Sequence, residues 1–395
     1  MIRKLTALAV SLALLCSSAL PVFADGLPEE VDETVAADIS AGIPAKSYIL
    51  MEASTGKVLS ESNADEQMAP ASITKIMVML LLMERIDAGT VTLDDMVTTS
   101  EHANSMGGTQ IWLEVGEQMS VNDLLKATAV NSANDAAVAL AEYMAGSEEA
   151  FAELMNQRAK ELGMVNTTFK NATGLDADGH LSTARDIALM TQELLKHPKI
   201  TEYTSIYMDS LRDGTTGLVN TNKMVRFYEG CNGMKTGTTD DAGSCLSCTA
   251  TRDGMTLISV SMGSTTSKER FQSARTLLDH GFASYSLYTP ELDPSLIPPI
   301  KVNGGQQGSV GVKIDSASSN IVIPKGGESQ VQQEISLAEE LDAPVEPDQV
   351  VGKVTYTLNG ETIAELSIKA EQGVAPLDFK FAFLLLLRGF LGISQ

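Results

Sequence analysis

Apolar residues change their spacing several times along the chain, and each change marks an element. Between Ile73 and Leu82 polar side chains are nearly absent, Pro70 stands ahead and Ala88-Gly89 behind, so residues 72 to 88 read as one buried helix. Upstream, Ser47 to Met51 and Lys57 to Ser60, joined by a loop ending at Gly56, read as a β-hairpin. Downstream, Asp123 to Val130 and Asp135 to Met144 read as helices, the second ended by Gly146. Ser147 then caps a further helix, with Glu148 and Glu149 in its first turn, that ends at Leu162-Gly163. Residues 164 to 181 read as a loop. Thr183 to Asp186 has the form of a capping box before a helix that stops at His197-Pro198, which makes Asp186 structural. Ala242 to Ala250 and Met255 to Met262 read as strands. In the second, Ile258, Val260 and Met262 alternate with serines, as in a strand with one buried face. Lys268 to His280 reads as a helix with Gly281 just past its end.

The two ends of the chain follow other rules. Met1 to Ala24 has Arg3 and Lys4, an apolar stretch from Leu5 to Leu15 and small residues at Val22-Phe23-Ala24, the plan of a secretory signal. Residues 25–44 are acidic and poor in large apolar groups, which predicts a tether. A proline-rich junction from Pro290 to Pro299 leads into a second domain of β character, residues 288–375, where Val354 to Leu366 reads as a hairpin on a two-residue Asn359-Gly360 turn. Residues 376–395 place Phe379, Phe383, Leu386, Leu387 and Phe390 at helical spacing beside Lys380 and Arg388. Spanning a bilayer takes about 20 apolar residues, and the uninterrupted run here is only Phe381 to Leu387. An amphipathic helix lying in a membrane surface fits it, and a helix packed on the β-domain is the alternative.

Charge and cysteine usage narrow the functions. The net charge is −23, which excludes nucleic acid as a partner. Cys16 belongs to the leader, so the exported chain would keep Cys231, Cys245 and Cys248, an odd number in a compartment where disulfides are permitted. Three cysteines without a nearby histidine are too few for zinc, and His102, His180, His197 and His280 are scattered, so neither a metal nor another cofactor is predicted.

Candidate chemistry sits at three places. Ser72 and Lys75 open the apolar helix three residues apart and share a face, so the hydroxyl and the amine can meet. A lysine surrounded by Ile and Met loses hydration, which disfavours its charged form and lowers its pKa, and a neutral amine can take the serine proton. Ser132-x-Asn134 lies between two helices, where it reads by itself as a cap. Lys235-Thr236-Gly237, just before the predicted strands, offers a cation, a hydroxyl and a residue without Cβ, which suits an extended peptide adding itself to a strand edge.

Ser-x-x-Lys, Ser-x-Asn and Lys-Thr-Gly in this order form the motif set of penicillin-binding proteins and class A β-lactamases. With Ser132 to Ala141, Asn166 to Phe169, Gly174 to Asp176 and Ser182 to Asp186 at matching places, residues 45–287 resemble the low-molecular-weight penicillin-binding proteins that are D-alanyl-D-alanine carboxypeptidases. Ala133 departs from the lactamase form of the second motif. The resemblance implies an α+β fold: a β-lactamase/transpeptidase-like domain, with an antiparallel five-stranded sheet and helices on both sides, then a smaller all-β domain and a C-terminal amphipathic helix. It also implies roles: Ser72 as nucleophile, Lys75 as base, Ser132 as proton relay to the leaving amine. Asn134 would hold the substrate amide, Lys235 would supply positive potential, and Thr236 would bind the terminal carboxylate. The N–H groups of Ser72 and Thr238 would form the oxyanion hole, with Gly237 between the binding residues and Arg270 near the carboxylate. Implied partners are a peptidoglycan stem peptide ending in D-Ala-D-Ala, β-lactams as covalent inhibitors, and the outer face of the bacterial cytoplasmic membrane. A β-lactamase is the first rival, but the class A enzymes need a loop glutamate and residues 164–181 carry only Asp176 and Asp178. A catalytically silent binding protein is the second, and no motif residue is missing as it would require.

Overall fold

The structure is a computed structural model that describes residues 42–290, 297–314 and 320–391. The predicted secretory leader, Cys16, most of the tether and part of the proline-rich junction lie outside the described residues.

A five-stranded antiparallel sheet organises the larger domain. Its strands are β1 (Ser47–Glu52), β2 (Val58–Ser62), β3 (Cys231–Thr239), β4 (Gly243–Arg252) and β5 (Met255–Ser264), in the order β2-β1-β5-β4-β3. The hairpin thus opens the sheet and the last three strands complete it, with β3 left as an edge. One face carries α1 (Lys75–Asp87), α2 (Asn134–Ala145), α3 (Glu148–Glu161) and α4 (Ala184–Leu195) over a large apolar core. The other face carries α5 (Ser267–Ser284), whose Ala274, Leu277 and Leu278 pack on Leu50, Leu246 and Leu257.

Two expectations are corrected here. Strand β5 is buried on both faces: Ser259 and Ser261 are as inaccessible as Ile258 and Val260. The small serines lie on the α5 side, so their alternation reports close helix packing rather than solvent. Gly281 lies within α5 instead of ending it, because a Cβ there would come 2.5 Å from Leu257 Cδ1 and 3.0 Å from Leu50 Cδ2. The same absence of a side chain that marks many helix ends here lets the helix settle onto the sheet.

From Ile76 to Leu82 helix α1 is apolar all round because it is almost wholly enclosed there: Ile76 to Leu80 and Leu82 are fully buried. A 3₁₀ turn, Ala71–Thr74, precedes it, so Ser72 stands on the tighter turn at its head. Beyond the sheet domain, a second core built on Val354, Tyr356, Leu366 and Ile368 holds the β-domain. Its main hairpin is β6 (Val350–Leu358) and β7 (Glu361–Ala370), with Leu358 opposite Glu361 and both Asn359 and Gly360 at positive φ. That is the turn the Asn-Gly pair predicts. The chain ends in α6 (Phe379–Phe390).

Candidate active site

Ser72 is held by backbone on two sides. Ala71 adopts φ +49, and a Cβ on Gly174 would fall 1.8 Å from Ala71 O and 2.9 Å from Ser72 N. From the sheet side, a Cβ on Gly237 would fall 2.9 Å from Pro70 O and 3.0 Å from Ser72 N. The glycine of Lys-Thr-Gly therefore makes room for the protein's own serine turn, a use that the sequence reading assigned to a ligand backbone.

Lys75 is fully buried one turn further on. Its Nζ donates to Ser72 Oγ at 3.0 Å, to Asn134 Oδ1 at 2.6 Å and to the Thr173 carbonyl at 2.7 Å. All three ammonium donors are thus engaged. Burial lowers its pKa from 10.5 to about 7, against the pull of the Asp135 and Glu148 carboxylates, which raise it. Near neutral pH a large share of this lysine is a free amine beside a serine hydroxyl.

Ser132 and Asn134 do not cap α2. A π-helical turn, Ala127–Asn131, breaks the predicted helix, and Ser132 follows it in the left-handed region at φ 63, nearly buried. The N-cap of α2 is Ala133, which caps nothing with its side chain. Asn134 instead donates from Nδ2 to the Gly107 carbonyl at 2.7 Å while its Oδ1 accepts from Lys75 Nζ. A non-glycine residue in this backbone region costs of order 1–3 kcal/mol, and such residues cluster at functional sites.

On β3, Lys235 is buried, with its Nζ 3.1 Å from the Thr236 carbonyl. Its pKa lies well below the ordinary lysine value, first through burial and then through the nearby Lys75 and Arg270 cations. Thr236 donates its hydroxyl to Thr221 Oγ1 at 2.7 Å. Thr238 is exposed at the end of the strand. Arg270 reaches β3 from α5 and spends Nη1 on the Gly237 carbonyl at 3.0 Å and Thr238 Oγ1 at 2.8 Å. It braces the strand from behind.

Four residues that the motifs do not contain complete the setting. Buried Asp135 accepts from the N–H groups of Ile111 and Leu113 and so ties that loop to the head of α2. Glu148 accepts from Ala172 N at 2.9 Å and meets His102 Nε2 at 2.7 Å, fixing the loop that supplies the Thr173 carbonyl. His180 accepts from Lys170 N at Nδ1 and lies 2.9 Å from Thr74 Oγ1 through Nε2. Burial pushes its pKa down to about 4, so it is neutral at working pH and its one proton serves Thr74. Asp186 accepts from Asn166 N and the Thr167 hydroxyl, a structural role. Sequence signals for Glu148 and Asp135 existed only as acidic residues in the first turn of a helix. Among the described residues, no group of three or more His, Cys, Asp or Glu side chains is placed to hold a metal ion.

The chain is similar to known proteins in sequence and in fold. The family profile described as D-alanyl-D-alanine carboxypeptidase matches residues 32–266, and that described as the penicillin-binding protein 5 C-terminal domain matches residues 296–376. The chain belongs to the D-alanyl-D-alanine carboxypeptidase family. This carboxypeptidase is 43% identical over 340 residues to the D-alanyl-D-alanine carboxypeptidase DacF of Bacillus subtilis, covering 85% of this chain and 87% of that one. Its fold is similar to penicillin-binding protein 5 of Haemophilus influenzae, with a TM-score of 0.78 at 33% identity over 84% of this chain and 98% of that one. It is also similar to penicillin-binding protein D2 of Listeria monocytogenes, solved in an ampicillin-bound form, with a TM-score of 0.56 at 33% identity over 61% of this chain and 98% of the other. The carboxypeptidase is a serine-type hydrolase that acts on peptidoglycan, which places its work outside the cytoplasm.

Proposed function

We propose that the enzyme removes the terminal D-alanine of a peptidoglycan stem peptide through an acyl-enzyme on Ser72. The neutral Lys75 amine takes the Ser72 proton as Oγ attacks the carbonyl of the penultimate D-alanine. Ser132 passes a proton to the departing amine, and water then releases the shortened peptide. The backbone N–H groups of Ser72 and Thr238 receive the oxyanion, a contact whose loss typically costs about 3 kcal/mol or more in the transition state. Asn134 holds the substrate amide. Thr236 and the potential of Lys235 bind the terminal carboxylate, and Thr221, which accepts the Thr236 proton, has a hydroxyl free to donate onward to it. Arg270 acts as a positioning residue for Gly237 and Thr238, because its hydrogen bonds go to those two residues.

The observation that carries this reading is the 3.0 Å contact between Ser72 Oγ and a buried Lys75 whose pKa is about 7. Such a pair needs no third residue to make a nucleophile. β-Lactams enter as covalent inhibitors that acylate the same hydroxyl, a reading supported by the ampicillin-bound relative. We assign catalysis to residues 45–287, a β-rich domain to 288–375 and an anchor to 376–395. In α6, Phe379 and Phe390 are 86% and 90% exposed, and Phe383 and Leu386 are also open to solvent. That exposure favours insertion into a membrane surface over packing on the β-domain, and no helix among the described residues is long and apolar enough to span a bilayer.

The test is release of D-alanine from a soluble peptide ending in D-Ala-D-Ala, with and without penicillin, followed by mass mapping of the acylated residue. Release that penicillin blocks, with the adduct on Ser72, is the expected result. An adduct on any other residue would refute the assignment.

A further inference from the structure

The three cysteines described are all free thiols, and they are not equivalent. Cys231 and Cys248 face each other across β3 and β4 with their Sγ atoms 3.7 Å apart. Their register explains the approach. Cys231 lies opposite Ala250 and Cys248 opposite Met234, with a bulge between Cys231 and Gly233. Cys248 and Ala250 point to one face, so Cys231 and Cys248 are diagonal neighbours on that face, and the bulge draws them closer. Both belong to the cluster under α5. Cys245 is an odd number of residues from Cys248 and points through the sheet into the opposite core, where its Sγ takes Gly263 N at 3.5 Å. The sheet itself separates the pair from the third thiol.

We propose that Cys231 and Cys248 are a redox modification site, which closes to a cross-strand disulfide in the oxidising space outside the cytoplasm and leaves Cys245 as the single thiol. The reaction partner is a disulfide-bearing oxidant, either an exported thiol-disulfide exchange protein or a small disulfide. Cys231 is half-buried and Cys248 wholly buried, so the oxidant meets Cys231 first. The Cys231 thiolate attacks one sulfur of the oxidant's disulfide and expels the other as a thiol. The Cys248 thiolate then attacks Cys231 Sγ, forming the bond and expelling the second oxidant thiol. Two protein thiols are oxidised, one disulfide is reduced to two thiols, and the two protons lost by the cysteines are gained by the leaving sulfurs. The sulfurs must close from 3.7 Å to about 2.05 Å, a distance that side-chain rotation can cover.

The staple would tie the edge strand to its neighbour. Cys231 stands at the start of β3, two residues before Gly233, whose carbonyl accepts from Asn222 Nδ2 at 2.9 Å. That asparagine also approaches Cys248 Sγ at 4.0 Å and directly follows Thr221. A fixed β3 start therefore holds the strand that carries Lys235, Thr236 and Gly237 from its free end.

The test uses the full chain isolated after export, with Cys16→Ser so that a retained leader adds no thiol. It is oxidised with glutathione disulfide, denatured, counted for thiols and mapped as unreduced peptides. One remaining thiol and a peptide pair joining Cys231 to Cys248 are expected. Cys231→Ser should keep two thiols under the same treatment, Cys248→Ser should stop at a mixed disulfide of Cys231 with glutathione and keep only the Cys245 thiol, and Cys245→Ser should keep none. Closing a loop of this length should raise the melting temperature by about 5 °C in the Cys16→Ser chain and in the chain that also carries Cys245→Ser, and leave the other two unmoved. A link through Cys245, three titratable thiols after oxidation, or a link formed without any rise in melting temperature would each overturn the proposal.

Discussion

The rate at which penicillin acylates Ser72 should fall about tenfold between pH 8 and pH 6. The lysine that must accept the serine proton has a pKa of about 7, so most of it is neutral at the higher pH and only about a tenth at the lower. The assay is the second-order rate of labelling by a fluorescent penicillin from pH 5.5 to 9 at constant ionic strength. His180, with a pKa of about 4, stays neutral throughout and adds no step. The carboxylate of Glu148 raises the Lys75 pKa, so Glu148→Gln should move the midpoint downward. His102 is held above its ordinary pKa mainly by its hydrogen bond to Glu148, so the same variant should lower the His102 pKa as well. The glutamine oxygen can still accept from Ala172 N, which keeps the loop in place. A flat profile, or a midpoint that rises in Glu148→Gln, would refute the neutral-amine mechanism. The same burial bears on stability. Unfolded, the lysine keeps its proton up to about 10.5; folded, only up to about 7, so between these values the unfolded chain binds more protons. This contribution is therefore absent below about pH 7, grows by about 1.4 kcal/mol per pH unit, and is complete above about pH 10.5, some 5 kcal/mol in all.

Ser72→Ala should abolish both D-alanine release and penicillin labelling, since both need one hydroxyl; labelling that survived would identify a different nucleophile. Gly237→Ala should slow acylation about a hundredfold by pushing on Ser72 N and Pro70 O, with folding largely kept, and a rate near wild type in a labelling assay would show that the turn has slack. Gly174→Ala should go further and lower the melting temperature, because its Cβ would overlap the Ala71 carbonyl and its φ of +81 disfavours any side chain. Removing residues 379–395 should free the protein from membranes while activity on a soluble peptide stays unchanged. The cut is placed there because Leu377 N donates to Gly304 O, which ties the first residues of the 376–395 segment to the β-domain; continued sedimentation with membranes would dismiss α6 as the anchor.

The motif triad, the leading hairpin, the apolar helix and the Asn-Gly turn were legible because each depends on spacing within a short stretch. The residues that make the site work from a distance were not. Asp135 and Glu148 looked like ordinary first-turn carboxylates, and only the folded chain brings loop amides to them and their field to Lys75. Thr173 contributes a backbone carbonyl, which has no sequence signature at all. Taken alone, Ser132 reads as a cap because its neighbours are helical; it does close the π-turn before it, in left-handed backbone, but it does not cap α2, whose N-cap is Ala133. The serines of β5 misled for a related reason, since periodicity reports two different environments on a strand and both here are interior.

The two glycines that enclose the Ser72 turn set a limit on how this enzyme can change. Gly174 and Gly237 meet it with bare backbone from opposite sides, so no side chain at either wall can be trimmed to let the nucleophile shift. A bulkier or differently angled acyl donor would have to be accommodated by altering the length of the loop or the path of β3. Substitution alone can retune the lysine, the hydroxyls and the rim, but the position of the attacking oxygen belongs to the architecture, and a point variant that moves it, as Gly237→Ala would, does so by strain and at a loss of rate.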